Sequence, residues 1–143
     1  MNSIRFQDLG AQQNWIAGGY QNSKSGKTIS VVSPYFGKEI ATVPDSSLAD
    51  LDDVVQTARD AFPDWPLRNI RDRAEVMFNL KSIMERNLEE LAHLIALDNG
   101  KTVADAKGSI LRGKEVVEFA TSLPSILKGD SSAVGAGIAC TMT

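Results

Sequence analysis

Side chains that could do nucleophilic or acid-base chemistry are few in this sequence of 143 residues, which contains one Cys and one His. Cys140 lies in AVGAGIACTMT, which has the character of a strand, whereas an activated thiolate needs a neighbouring base or a helix N-terminus. His93 lies among Leu and Ile in ELAHLIAL, where a structural histidine is more common than a catalytic one. We therefore interpret both residues as structural.

Motifs that bind cofactors or metals are also missing from the sequence. GAGIAC at 135–140 has the first two glycines of a dinucleotide-binding fingerprint, but Cys140 replaces the third and no helix can follow. A structural zinc site needs about four Cys or His ligands, and a disulfide needs a second Cys, so both are excluded. The sequence has no phosphate-cradling loop, serine elbow or paired-His motif.

Two charged residues on predicted helices are candidates for binding. Arg112 is a permanent cation on a helix sector shared with Gly108 and Val116. It either pairs with Glu115 at i+3 or offers its planar guanidinium to a carboxylate or phosphate. Asp98 falls at the negative end of a helix dipole, which indicates a cation or basic partner nearby, or simply an exposed side chain.

The composition is that of a single globular domain. Hydrophobic residues make up 43% and charged residues 23%, with a net charge of -3. A mildly acidic domain without a basic block does not favour binding to nucleic acid or anionic lipid. No apolar stretch approaches the roughly 18 residues of a membrane span, and MNSIRFQDLGAQQ has neither a signal-peptide nor a transit-peptide pattern. We therefore expect a cytoplasmic protein with no nucleic-acid or membrane partner.

Short β-rich runs come first among the elements that must position these residues. WIAGGY (15–20) and TISVVS (28–33) are separated by the turn-forming QNSKSGK, which predicts a hairpin between them. EIATVP (39–44) follows a tight turn at Pro34 and predicts a third strand. We expect residues 15–44 to form a small antiparallel β unit.

Four helices follow, because the hydrophobic period changes from two to about 3.6 after Ser47. Ser47 and Asp50 form a capping box at the first helix start. That helix has one apolar face, which consists of Leu48, Leu51, Val55, Ala58 and Phe62. The predicted helices cover residues 47–62, 69–86, 87–98 and 102–123.

The fourth predicted helix is apolar on two adjacent faces. Ala106 and Ile110 belong to one face, and Val116 and Phe119 belong to the other. The stripe expected to face solvent consists of Lys107, Lys114, Glu118 and Thr121. Residues 136–143 predict a terminal strand without a partner, which would be an aggregation-prone edge in a finished domain. Both features indicate that further protein covers this chain.

The order of these segments resembles a known family. WIAGGY, SPYFGKEIATVPDSS, the helix ending in ARDAFPDW and DRAEVMFNLKSIMERNLEELAHLIALDNGKT are similar, in order and spacing, to the N-terminal part of the aldehyde dehydrogenase superfamily. NGKTVADAKGSILRGKEVVEFATSLPSILKGD is most similar to the CoA-acylating methylmalonate-semialdehyde dehydrogenase branch. Ser33 replaces the usual Asn before Pro34, which affects turn capping only.

The resemblance implies an α/β fold of the aldehyde-dehydrogenase type, with residues 1–143 forming part of the NAD-binding domain and the start of the oligomerisation arm. It implies that the full-length protein oxidises a semialdehyde to an acyl-CoA with NAD and coenzyme A. The catalytic and cofactor-binding residues would lie outside this chain, which alone is expected to be inactive and to bind neither cofactor. The implied partners are the remainder of the polypeptide and, at full length, further copies in a dimer or tetramer.

The resemblance also assigns roles to the two charged candidates. Arg112 matches the family arginine that holds the substrate carboxylate. Asp98, with backbone carbonyls near Val31 and Val32, matches a monovalent-cation site of some members. Two alternatives stay open: another semialdehyde dehydrogenase, such as one for succinate semialdehyde, and a non-catalytic helical module that binds another protein through its apolar faces.

Overall fold

The computed structural model describes residues 4–127, 129–135 and 138–142. Small antiparallel sheets flank a group of helices, which agrees with the expected fold class. The strands are β1 Asn14–Ile16, β2 Gly19–Gln21, β3 Thr28–Ser33, β4 Lys38–Pro44, β5 Asp130–Gly135 and β6 Ile138–Met142. The helices are α1 Leu48–Ala61, α2 Ile70–Arg86, α3 Leu88–Asn99, α4 Val103–Ala120 and α5 Leu123–Ile126.

The hairpin predicted between the first two β-rich runs is wrong. The first run folds back on itself, because Ala17 and Gly18 have φ values of 53° and 78° and form a two-residue turn between β1 and β2. Trp15 and Tyr20 lie opposite each other across this hairpin, with ring centroids 4.7 Å apart. The short turn and the aromatic pair favour this local pairing over the longer predicted loop.

β3 pairs with β4 instead. The antiparallel register runs from Thr28 opposite Pro44 to Ser33 opposite Lys38. The backbone N–H of Gly37 donates to the carbonyl of Ser33 at 2.8 Å and closes the turn between the strands. The predicted tight turn and third strand are therefore confirmed.

All four predicted helices are present, with ends shifted by a few residues at most. Ser47 caps α1, and its capping box with Asp50 is formed as predicted. α4 ends at Ala120, three residues before the predicted end at Leu123. The chain then starts the short α5, whose first turn contains Pro124, a position where the missing N–H of proline costs no helix hydrogen bond.

The core between α3 and α4 is built from small side chains. Ala92 and Ala96 of α3 and Ala106 of α4 are fully buried, and Ile110 is 7% exposed. Small residues at a helix contact allow the two backbones to approach closely. The predicted buried face of α4 is confirmed at Ala106 and Ile110.

The stripe of α4 expected to face solvent lies partly against the neighbouring helices. Lys107 pairs with Glu89 of α3 at 2.5 Å, and Lys114 pairs with Glu85 of α2 at 3.0 Å. Glu118 accepts from a lysine of α2 at 3.1 Å. Long charged side chains can cover the edges of a helix contact in this way, so the prediction was wrong for Lys107 and Lys114, whose side chains are 33% and 24% exposed. Glu118 is exposed as predicted, at 54%.

The terminal strand has a partner within the chain, so the prediction of an unpaired strand was also wrong. β6 pairs antiparallel with β5, from Asp130 opposite Met142 to Gly135 opposite Ile138. Residues 136, 137 and 143 of the predicted strand lie outside the described residues. Within the described ranges, no helix is long and apolar enough to cross a membrane.

Candidate functional site

Arg112 lies in the middle of α4, on a helix whose start and rotation are both fixed. The hydroxyl of Thr102 donates to the carboxylate of Asp105 at 2.7 Å and accepts from its backbone N–H at 3.1 Å, which caps the helix. The buried residues Ala106 and Ile110 hold one face of α4 against α3. Arg112 projects from another face and is exposed.

The alternative that Arg112 pairs with Glu115 is not observed. Among the residues that the structure describes, no carboxylate lies within 4.0 Å of the Arg112 guanidinium, whereas both lysines of α4 are paired. The next apolar residues along this side of the helix, Val116 and Phe119, are 70% and 68% exposed. The arrangement offers an anionic ligand a guanidinium beside an apolar surface.

Asp98, the second candidate, lies in the last turn of α3, where this helix docks on the end of β3. The buried hydroxyl of Ser33 donates to the carbonyl of Leu97 at 2.5 Å, so the expectation that Ser33 affects turn capping only was wrong. Gly100 ends α3 with a φ of 79°, and a Cβ added to it would lie 2.9 Å from the side chain of Pro34. These contacts bring the ends of β3 and α3 together, with Asp98 exposed beside them.

A cation site at this junction stays a prediction. The described residues contain no cluster of three or more His, Cys, Asp or Glu side chains that could hold a metal ion. A monovalent cation beside Asp98 would therefore need backbone oxygens, such as the carbonyls of Val31 and Val32, as its other ligands.

Cys140 and His93 lie in the elements where the sequence placed them. Cys140 is exposed on β6, opposite Ser132, and not at the N-terminus of a helix. His93 is half-buried on α3. The described part of the 135–140 fragment is strand rather than the strand-to-helix turn of a dinucleotide site.

Sequence reasoning missed a polar junction at the start of α1. Asp50 is only 5% exposed. Its carboxylate accepts hydrogen bonds from the Ser23 hydroxyl at 2.8 Å, the Lys24 backbone N–H at 2.8 Å and, at 2.7 Å each, the backbone N–H and hydroxyl of Ser47. Ser23 and Lys24 precede Asp50 by 27 and 26 residues, so the local capping pattern revealed only the contribution of Ser47.

These donors stabilise the charged form of Asp50. The backbone N–H of Lys24 contributes most and the Ser47 hydroxyl comes next, and together the donors hold the pKa of the Asp50 carboxyl well below its usual range. The side-chain contact between Lys24 and Asp53 raises the pKa of Lys24. The junction therefore ties α1 to the loop before β3 through charge-assisted hydrogen bonds.

A groove of about 500 Å³ lies between β1 and the start of α1. Trp15, Leu48 and Leu51 line it, with Asn14 on its polar side. The one titratable group among its lining residues is Asp50, whose oxygens already accept the four hydrogen bonds described above. The groove therefore offers apolar contact rather than a reactive group.

Comparison with known proteins identifies the family. The model of the aldehyde dehydrogenase family matches residues 20–142. The chain belongs to the aldehyde dehydrogenase family. Malonate-semialdehyde dehydrogenase 1 of Oceanobacillus iheyensis is 41% identical over 119 residues, and malonate-semialdehyde dehydrogenase of Bacillus subtilis is 40% identical over 121 residues. These alignments cover 83% and 85% of the chain.

Solved structures show that this aldehyde dehydrogenase chain has the fold expected from its sequence. A Sinorhizobium meliloti protein provisionally named methylmalonate-semialdehyde dehydrogenase, solved with NAD, superposes with a TM-score of 0.84 at 33% identity over 92% of the chain. An NAD-dependent aldehyde dehydrogenase of the same organism gives a TM-score of 0.82 at 30% identity. The chain spans about a quarter of the length of these relatives, from 24% to 28%.

Proposed function

We propose that this chain is the N-terminal quarter of an NAD-dependent, CoA-acylating dehydrogenase for malonate or methylmalonate semialdehyde. The names of the relatives support the reaction class, since malonate-semialdehyde dehydrogenases match more than four fifths of the chain. The observation that carries the substrate class is Arg112, an exposed guanidinium without a carboxylate partner among the described residues. A semialdehyde of this class carries one carboxylate, which suits that guanidinium.

The chemical steps belong, in this proposal, to the rest of the protein. NAD supplies the hydride acceptor and coenzyme A the acyl acceptor when they are bound. Among the described residues, no helix starts from a Gly-rich loop of the dinucleotide-binding type, so this part of the chain does not fit the NAD diphosphate. We therefore expect the chain alone to be inactive and to bind neither cofactor.

The role of this chain, in this proposal, is to position the substrate. The guanidinium of Arg112 can donate two parallel hydrogen bonds to a carboxylate, which fixes the orientation of a short substrate as well as its position. A fixed acid end directs the aldehyde end to one place, which lowers the entropic cost of reaching the transition state. α4 suits this task because its cap and the buried contacts of Ala106 and Ile110 with α3 hold the helix in place.

The partner in this proposal is the remainder of the same polypeptide, and the full-length protein assembles into a homo-dimer or homo-tetramer. Large apolar side chains that stay uncovered in the described chain support a covering partner. They include Trp15, Leu48, Leu51, Phe62, Val116 and Phe119, each of which is more than half exposed. A non-catalytic helical module would bind its partner through the same surfaces. Dehydrogenase activity therefore distinguishes the enzyme from the module.

The test uses a chimera in which this chain replaces the matching segment of the Bacillus subtilis relative. Arg112→Leu should remove a charge-assisted hydrogen bond worth about 1.5 to 3 kcal/mol, which corresponds to a loss of about 10- to 150-fold in kcat/KM for malonate semialdehyde. Propanal has no carboxylate and should react nearly as before. Lys107→Leu is the matched control, because this lysine of the same helix is already paired with Glu89.

The outcomes separate the alternatives. Equal losses on both aldehydes after Arg112→Leu would contradict the role in carboxylate binding. A chimera that oxidises neither aldehyde would contradict the dehydrogenase function and favour the helical module. A higher kcat/KM for succinate semialdehyde than for malonate semialdehyde would move the assignment to the neighbouring semialdehyde dehydrogenases.

A further inference from the structure

The interior of α4 contains two glycines, and packing among the described residues requires neither of them, since an added Cβ would make at most an ordinary van der Waals contact. Glycine is a poor helix former, so a glycine inside a helix needs a reason. A Cβ added to Gly113 would lie 3.9 Å from the Cε of Met84, where α4 packs near α2. A Cβ added to Gly108 would meet no heavy atom within 4 Å. Packing among the described residues therefore does not require a glycine at position 108.

The position of Gly108 relative to Arg112 provides a reason. Residues four apart lie on the same face of a helix, and long side chains lean back towards the helix N-terminus. By these rules the Arg112 side chain is directed towards the turn that contains Gly108, and no atom of it lies within 4 Å of a Cβ added there. The space between the two residues is therefore open. Arg112 is also the cation of α4 that no described carboxylate neutralises, whereas Lys107 and Lys114 are both paired.

We propose that Gly108 is a specificity-determining residue that keeps the space beside the Arg112 guanidinium open for the carboxylate of a short semialdehyde. This inference rests on the proposed function. Bidentate binding requires that a carboxylate approach the guanidinium in its own plane at hydrogen-bond distance. A branched side chain at position 108 would occupy that approach, while the aldehyde end of the substrate would be unaffected.

The first measurement uses the 143-residue chain itself and asks whether the glycine serves folding. Gly108→Ala should raise the melting temperature by about 2 to 5 °C, because alanine favours the helix and no described neighbour contacts the new methyl group. Gly100→Ala is the control and should lower the melting temperature, since Gly100 has a φ of 79° and Pro34 lies 2.9 Å from the added Cβ. A lower melting temperature for Gly108→Ala would show that packing needs the glycine and would overturn the proposal.

The second measurement compares two aldehydes in the chimera. Gly108→Val should raise KM for malonate semialdehyde by about 10-fold or more while leaving kcat/KM for propanal nearly unchanged. Ala104→Val places the same side chain two turns before Arg112 and should spare both substrates. Equal losses on the two aldehydes after Gly108→Val would indicate a general disturbance of α4 and would overturn the proposal.

Arg112→Leu distinguishes failure of this inference from failure of the proposed function. If Arg112→Leu impairs malonate semialdehyde selectively but Gly108→Val does not, Gly108 has no role in specificity and the proposed function stands. If Arg112→Leu shows no selectivity, carboxylate binding at α4 fails, and the role of Gly108 fails with it.

Discussion

Two regions of this chain show that amphipathic patterning and burial are separate properties. The α3 core comprises α3 with its contacts on α4 and β3, and the α1 arm comprises α1 with the β1–β2 hairpin. α1 has the more strongly amphipathic sequence, yet Leu48 and Leu51 on its apolar face are 80% and 55% exposed. α3 is less amphipathic because its central turns carry apolar residues on more than one side, and Ala92, Ala96 and Leu97 are fully buried.

The difference follows from what each helix has beside it. α3 has partners on two sides, because α4 packs on its alanines and Ser33 of β3 bonds to its last turn. A helix with apolar residues on more than one side needs cover on each of those sides. α1 is held at its start by the hydrogen bonds to Asp50. An apolar stripe in a sequence thus shows that a surface needs cover, whereas the fold decides whether the same stretch of chain supplies it.

The largest expected effect tests this contrast directly. Leu97→Ala in the α3 core should lower the free energy of unfolding by about 2 to 5 kcal/mol, because a fully buried leucine leaves a cavity that relaxes only partly. Leu48→Ala removes the same atoms from the α1 arm, where the side chain is 80% exposed, and should change stability by less than about 0.5 kcal/mol. Urea unfolding of both variants measures the difference. Equal losses would mean that α1 is covered in solution.

Much of the fold could be predicted because its signals are local. Capping residues such as Ser47 and Thr102 and the helix-ending Gly100 fix helix ends through backbone hydrogen bonds within one turn. The prediction of the first hairpin is wrong because the run WIAGGY contains a two-residue turn at Ala17 and Gly18 and is not a single strand. The orientation of the charged stripe on α4 depends on partners in α2 and α3, which no local pattern reveals.

The candidate site likewise contains residues that the sequence predicts and contacts that it does not predict. Helical periodicity placed Arg112 on an apolar sector shared with Val116 and Phe119, and in the structure all three side chains are exposed. The alternative pairing of Arg112 with Glu115 at i+3 is not observed, because spacing permits an ion pair but does not require one, and exposed pairs gain little energy. The junction at Asp50 went undetected because two of its donors come from a loop 26 and 27 residues earlier.

The next effect concerns the α1 arm and its dependence on pH. Asp50 has a lowered pKa in the folded chain, so its charged form stabilises the fold at any pH above its ordinary unfolded value of about 4. This contribution should decline as the pH falls from about 4 towards the lower folded value. Asp50→Asn should therefore be less stable at pH 7 and lose less further stability in acid than the parent. Thermal unfolding between pH 7 and pH 2 measures both slopes.

Asp52→Asn is the matched control for this prediction, since Asp52 is an exposed carboxylate of the same helix. It should leave the acid slope close to that of the parent chain. Hydrogen exchange adds a regional readout: Asp50→Asn should speed exchange in α1 and leave α3 unchanged. Faster exchange throughout the chain would show that the junction supports the whole fold and not the α1 arm alone.

The smallest expected effect lies at the rim of the helix group, where Lys114 and Glu85 pair at 3.0 Å with side chains that are 24% and 48% exposed. Partly exposed pairs gain little because water screens the attraction and two long side chains lose freedom. A double-mutant cycle with Lys114→Met and Glu85→Gln should give a coupling energy of about 0.2 to 1 kcal/mol that falls with added salt. A coupling above about 2 kcal/mol that does not change with salt would mean that the pair is desolvated. Charge would then hold α4 beside α2, in addition to the alanine packing of α4 on α3. The expected small value would instead leave the placement of Arg112 to the buried contacts of Ala106 and Ile110.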